Sequence, residues 1–326
     1  MRADFIRGII PAMITPMTET EALDEKGLQK LIDFLIDAGV HGVFAAGTAG
    51  EFWALSFEEK RELYERTVKF TDRRVPVYLG TGANSTQEAI LLSRMAEDSG
   101  ADCLSILTPA FITPSQNEMF DHFAAIADVV KVPILLYDLP SRTGNAMGVD
   151  LVVRLAESFE NIVGIKDSTG DFSQSLEYLR RAPADFRVIM GRDTLIHTGF
   201  ISGAAAAIAA SANVAPALSV GIYECFLEGN LDGALEFQQR LAPLRLAFAL
   251  GSHPAMLKAG ADMVGAAGGP PRKPVHALSR LRVIGSWMND ADRRAANTLD
   301  MYVTDENGRR FVKHYLIDMG SAFGSN

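Results

Sequence analysis

Lys166 ends a short apolar run, Ile162-Val163-Gly164-Ile165, and is followed at once by Asp167-Ser168-Thr169-Gly170. Apolar residues in so brief a run, bounded by polar and glycine signals, read as a buried strand with the lysine at its end. An amine leaving an apolar strand is partly desolvated, which favours its neutral form. A neutral lysine can attack a carbonyl and form a Schiff base. The bland alternative is that Lys166 reaches the surface and pairs with Asp167, as long cationic side chains often do. Schiff-base chemistry also needs a proton shuttle for the carbinolamine, and a phenol beside the amine can supply it. Tyr137 closes another apolar run, Pro133 to Tyr137, and Thr48 sits in Gly47-Thr48-Ala49-Gly50-Glu51 after a third. Glycines at 47 and 50 let backbone amides approach a carboxylate. Taken singly, these are ordinary core and turn residues. Their shared position at strand ends is what those readings do not account for.

The elements that would position them repeat one unit from residue 8 to about 228: apolar run, loop, amphipathic helix. The runs are Ile9–Thr15, Val43–Ala46, Val75–Leu79, Asp102–Leu107, Pro133–Tyr137, Ile162–Lys166, Arg187–Met190 and Ala205–Ala209. Capping boxes at Ser56/Glu59 and Ser115/Glu118 open two of the helices, and Asp24 caps the first. Eight strand–helix units imply a parallel sheet with right-handed crossovers, and their number and spacing match a closed (β/α)8 TIM barrel. A doubly wound open sheet is the alternative, but no dinucleotide glycine fingerprint follows the first strand. Such a barrel carries its active site at the carboxyl ends of its strands, where Thr48, Tyr137 and Lys166 all fall. Beyond residue 214, Ala217–Glu228, Leu231–Leu250 and Pro254–Val264 read as helices with no strands between them. The division expected is a barrel over 1–228, a C-terminal helical extension over 229–284 and an atypical tail over 285–326. In that tail, Asn307-Gly308 between two apolar runs signals a β-hairpin.

Bulk composition excludes several function classes. The 326 residues are 48% hydrophobic and 22% charged, as expected for a globular chain with a substantial core. A net charge of −9 argues against nucleic-acid binding. The two cysteines and six scattered histidines show no metal-ligand spacing, and no cofactor is expected. No secretory or membrane-spanning stretch is evident, which makes a cytoplasmic location the expectation.

Four segments carry a resemblance: Gly47-Thr48-Ala49-Gly50-Glu51, Gly80-Thr81-Gly82-Ala83-Asn84, Tyr137 through Gly144, and Gly164 through Gly170. In this order they resemble the pyruvate-dependent class I aldolase family, which includes dihydrodipicolinate synthase and N-acetylneuraminate lyase. The resemblance implies a TIM barrel with a helical C-terminal region, assembled as a homotetramer or homodimer. It implies that Lys166 forms the Schiff base with pyruvate or another 2-oxo acid, that Tyr137 is the acid/base phenol, and that Thr48 serves carboxylate binding and proton relay. Gly47, Ala49, Gly50, Arg142 and Ala209 complete the implied substrate-binding set, with Arg142 placed to receive a second substrate's carboxylate. The activity implied is a lyase: a synthase, an aldolase or dehydratase of N-acetylneuraminate or 2-keto-3-deoxy sugar acids, or, outside enzymes, a 2-oxo acid sensor.

Departures from the synthase pattern are Ala49 for a second threonine, Phe111 for a tyrosine that reaches a neighbouring subunit, and Asp138 for a frequent asparagine. Ala110, Trp53 and Phe57 are poor polar ligands for a feedback lysine. Within the tail, Asp292 and Asn297 are spaced like a kinase catalytic loop, and Leu316 through Gly320 is similar to a metal-binding aspartate motif. No phosphate loop precedes them, so a structural or oligomer-contact tail is the expectation.

Overall fold

The computed structural model describes residues 3–248, 251–277, 298–304 and 310–316. Eight strands alternate with helices as follows: β1 Gly8–Pro11, α1 Glu25–Asp37, β2 Val43–Ala45, α2 Phe57–Thr71, β3 Val77–Gly80, α3 Thr86–Asp98, β4 Cys103–Leu107 and α4 Gln116–Ala127. The series continues with β5 Ile134–Asp138, α5 Pro140–Thr143, α6 Val149–Ser158, β6 Ile162–Asp167, α7 Phe172–Arg181, β7 Arg187–Met190, α8 Ile196–Ile201 and β8 Ala206–Ala209. Three helices follow: α9 Pro216–Leu227, α10 Leu231–Ala247 and α11 Ala255–Met263.

Helix starts follow the sequence signals. Asp24 accepts from the Gly27 amide, and α1 buries Leu28, Leu31, Ile32 and Leu35 along one stripe, the spacing of a helix laid on a core. Both capping boxes form, at Ser56/Glu59 and Ser115/Glu118. All seven ladders of the sheet are parallel, in the order β1-β8-β7-β6-β5-β4-β3-β2. The remaining seam, between β1 and β2, is closed by an Ala12–Phe44 bridge and by the Met13 amide donating to Phe44 O. The result is a (β/α)8 barrel whose inward side chains fill a core rather than line a pore.

The first strand is shorter than expected. Pro11 has no amide proton to continue the ladder, and Ile14 N donates instead to Asn213 Oδ1 at 3.0 Å. The segment between β7 and β8 divides into a 3₁₀ turn, Asp193–Leu195, and α8. A one-turn helix, α5, lies in the loop after β5, where Pro140 opens it and Gly144 ends it with φ +79°. Helix α9 follows β8, packs on α8 and β1 and completes the ring of barrel helices, while α10 and α11 form the C-terminal extension, with α10 packed on α9, α8 and the turn at Asp193. Two antiparallel strands, β9 Thr298–Thr304 and β10 Arg310–Leu316, flank Asn307-Gly308 in register. The turn itself, and the segments holding Asp292, Asn297 and Asp318, lie outside the described residues. Among the described residues no helix is long and apolar enough to cross a membrane.

Candidate active site

Strand register brings the two expected reactive groups together. Tyr137 on β5 and Lys166 on β6 are paired residues of adjacent parallel strands, so their side chains leave the same face of the sheet. Both are buried, at 4% exposure each. Lys166 Nζ lies 3.9 Å from the centre of the Tyr137 ring and 4.8 Å from that of Phe44 on β2, across the barrel. The next residue in each strand points the other way, as alternation demands. Asp138 and Asp167 are themselves paired and face α7. Asp167 accepts from Ser175 Oγ at 2.6 Å, from Thr169 Oγ1 at 2.6 Å and from Thr169 N at 2.9 Å. Lys166 therefore does not run to the surface beside Asp167. One turns into the barrel mouth and the other outward.

Thr48 completes the cluster, with its Oγ1 3.2 Å from Tyr137 Oη. The turn that presents Thr48 is tight. Gly50 N donates to Gly47 O and Glu51 N to Thr48 O, and Thr15 Oγ1 holds Gly50 O at 2.6 Å. A Cβ at Gly47 would lie 2.6 Å from the Phe44 ring, so the turn and the aromatic beneath Lys166 can share this space only with glycine there.

Thr48, Ala49, Tyr137, Arg142 and Lys166 all line one cavity of roughly 760 Å³ at the carboxyl ends of the strands, within the range of small-molecule sites. Gly47 and Gly50 shape its edge through the turn without lining it. Ala209 is buried at the end of β8, paired with Pro11, and the residues on either side of it, Ile208 and Ala210, line the cavity. Phe111 is 97% exposed on the loop after β4, with φ +72°, and does not line it.

Four titratable cavity residues were not anticipated: Arg192, Asp193, Arg245 and His253. Arg192 and Asp193 follow β7, and a polar pair directly after an apolar strand was a usable signal for them. Arg192 donates to the carbonyls of Ser168 and Thr169, and Asp193 accepts from Ser211 and faces Arg245 at 3.9 Å. Arg245 and His253 come from the extension, and no local pattern marks them. Burial, then the charges of Arg142, Arg245 and Lys166, bring His253 down to about 4, so it is neutral at pH 7. Among the described residues the cavity wall thus carries three arginines, Arg142, Arg192 and Arg245, beside Lys166, against one carboxylate, Asp193, in a chain of net charge −9. Such a wall draws anionic small molecules into the cleft.

Asp138 is fully buried. Burial, reinforced by Asp167, raises it to about 7, although Met147 N and Gln174 Nε2 oppose this by donating to its Oδ2. A protonated Asp138 has nearly the shape of asparagine, which accounts for the tolerance of an acid here.

The sequence matches the description "Dihydrodipicolinate synthetase family" over residues 5–282. It is 41% identical over 271 residues to the 4-hydroxy-tetrahydrodipicolinate synthase of Methanopyrus kandleri, covering 83% of this chain and 90% of that protein. The fold superimposes with a TM-score of 0.83 on the crystal structure of dihydrodipicolinate synthase from Aquifex aeolicus, at 32% identity, covering 88% of this chain and 97% of that one. It also superimposes, with a TM-score of 0.84 at 31% identity over 88% and 98% of the two chains, on a prophage protein of the dihydrodipicolinic acid synthase family from E. coli K12 in complex with pyruvate. On its sequence, its barrel and its relatives, the chain belongs to the dihydrodipicolinate synthetase family of Schiff-base lyases.

Proposed function

We propose that this enzyme condenses pyruvate, bound as a Schiff base on Lys166, with an aldehyde that carries its own carboxylate. The observation that carries the reading is the Lys166–Tyr137–Thr48 cluster on the floor of a cationic cavity. Lys166 Nζ adds to the keto carbon of pyruvate to give a carbinolamine. The carbinolamine hydroxyl leaves as water with a proton from Tyr137 Oη, which yields the imine. Loss of a methyl proton turns the imine into an enamine, whose carbon attacks the aldehyde carbon. The resulting alkoxide takes up a proton, and water releases the product from Lys166. Thr48 and the amides of the 47–50 turn receive the pyruvate carboxylate, Gly47 and Gly50 keep that backbone open, and Ala49 contributes no hydroxyl. Arg142 takes the carboxylate of the second reactant, while Ala209 backs the wall formed by Ile208 and Ala210. Three arginines against one carboxylate favour an anionic aldehyde over a neutral sugar aldehyde.

Borohydride reduction in the presence of pyruvate is expected to add a stable mass to Lys166. Failure to form an adduct with any of a panel of 2-oxo acids would remove the proposal. With aspartate semialdehyde as the second reactant, turnover is expected but slow, since Ala49 and Phe111 each lack a hydroxyl that the synthase pattern supplies. Turnover as fast as that of a synthase holding both hydroxyls would overturn this narrower reading. Assembly as a homotetramer or homodimer in the cytoplasm completes the proposal. The exposed Phe111 and Ile112 on the loop after β4 support it as a contact between copies, and light scattering giving a monomer mass would sink it.

A further inference from the structure

We propose that Lys258 and Glu51 form a positioning pair through which the C-terminal extension holds the Gly47–Gly50 turn in the shape that receives the pyruvate carboxylate. Lys258 lies on α11 and Glu51 directly follows that turn, and both side chains are 0% exposed with Nζ and Oε1 2.5 Å apart. The bonding around the pair is dense. Lys258 Nζ also donates to Pro270 O at 2.9 Å, and Arg272 N donates to Glu51 Oε2 at 2.8 Å. Arg272 Nη1 reaches Ala54 O at 2.7 Å, further along the same loop. Neither Lys258 nor Glu51 lines the cavity, so neither touches a reactant.

Fold stability alone does not account for the pair. An ion pair withdrawn wholly from water gives back in desolvation much of what it gains, and apolar residues of similar volume commonly serve as well or better. What the pair supplies is direction. Glu51 is a non-glycine residue at φ +57°, a backbone state that persists only when the surroundings over-determine it. Its amide closes the turn on Thr48 O, and Thr48 carries the hydroxyl that meets Tyr137 Oη. Thr15 fastens the turn from the barrel side, and the Lys258–Glu51 pair fastens it from the extension side.

The catalytic part of this inference rests on the proposed pyruvate chemistry, so the test has one arm with pyruvate and one without. The double variant Glu51→Gln/Lys258→Met removes both charges and keeps an acceptor for Arg272 N. Amide hydrogen exchange of the free protein is expected to rise about tenfold across residues 47–51 and to stay unchanged in the barrel strands. In borohydride trapping, the half-saturating pyruvate concentration is expected to rise about tenfold, with the trapping rate at saturation within about threefold of the unmodified protein. A folded double variant with unaltered exchange at 47–51 overturns the brace, and one with unaltered half-saturation overturns its role in pyruvate binding. If the double variant does not fold, Glu51→Asp keeps both charges and draws the turn toward Lys258. Wild-type exchange and half-saturation in that variant would overturn the proposal equally. Absence of any adduct in the unmodified protein sinks the pyruvate chemistry instead, and the exchange arm still decides the brace.

Discussion

Lys166 and Lys258 are buried to nearly the same degree, at 4% and 0% exposure, yet their surroundings differ in kind. Lys166 ends a barrel strand, faces a cavity and rests on the rings of Tyr137 and Phe44. Lys258 lies on a helix of the extension, and its ammonium is taken up by Glu51 and a backbone carbonyl. Burial pushes the Lys258 ammonium down from its usual range, while Glu51 acts in the opposite direction. Withdrawal from water therefore does not make a lysine a nucleophile. On the proposed chemistry the partner set decides: an amine that opens on a cavity and has no carboxylate locked to it can meet a carbonyl, and one locked to a carboxylate is structural.

The comparison is broken most directly at Lys166. Lys166→Ala is expected to abolish the pyruvate adduct and lower turnover by about 10⁴-fold or more, because no other group supplies the covalent step. An adduct that moves to Lys258 in this variant, seen by peptide mass mapping, would erase the distinction between the two lysines. Tyr137→Phe removes the phenol and spares the ring beside Nζ. A loss of about 10²–10³-fold in turnover is expected, with little change in half-saturating pyruvate, and steady-state kinetics at saturating substrate measures it.

A third buried charge sharpens the contrast. Asp138 rises to about 7 in the folded chain, against about 3.9 when unfolded. Between these values the folded chain holds a proton that the unfolded chain has released. Stability therefore falls as pH rises from about 4 to 7 and stays low above that. Asp138→Asn is expected to remove this fall and to raise stability at pH 8 by on the order of 2–4 kcal/mol. Urea denaturation at pH 5 and pH 8 checks it. Equal gains at both pH values would mean that Asp138 is ionised at pH 5 as well. The smallest effect is expected at the turn: Ala49→Thr restores a hydroxyl near the pyruvate carboxylate, and half-saturating pyruvate should fall about two- to fivefold, or about 0.5–1 kcal/mol.

The barrel and its floor were readable in advance because strands and helices have short periods and chemical punctuation. The strand read over Ile162–Lys166 runs one residue further, to Asp167, before the polar turn, and Ser56/Glu59 and Ser115/Glu118 open their helices as capping chemistry requires. Tyr137 and Lys166 were expected on one rim, and strand register makes them neighbours. The short first strand was not readable, because the Ile14 amide and the Ala12 carbonyl beyond it bond the side chain of Asn213, some two hundred residues away. The one-turn helix at Pro140–Thr143 was likewise lost inside a motif read as a loop.

From its sequence alone, this chain determined eight alternating units, the residue types that end them and hence which side chains could reach a common rim. Those properties depend on neighbours within a few positions. Tertiary structure decided that Lys166 turns inward while Asp167 turns to α7, that Arg245 and His253 from the extension join the cavity wall, and that Lys258 meets Glu51. These depend on groups distant along the chain being driven into the same dry space, where an unpaired charge is costly and each polar atom must find a partner.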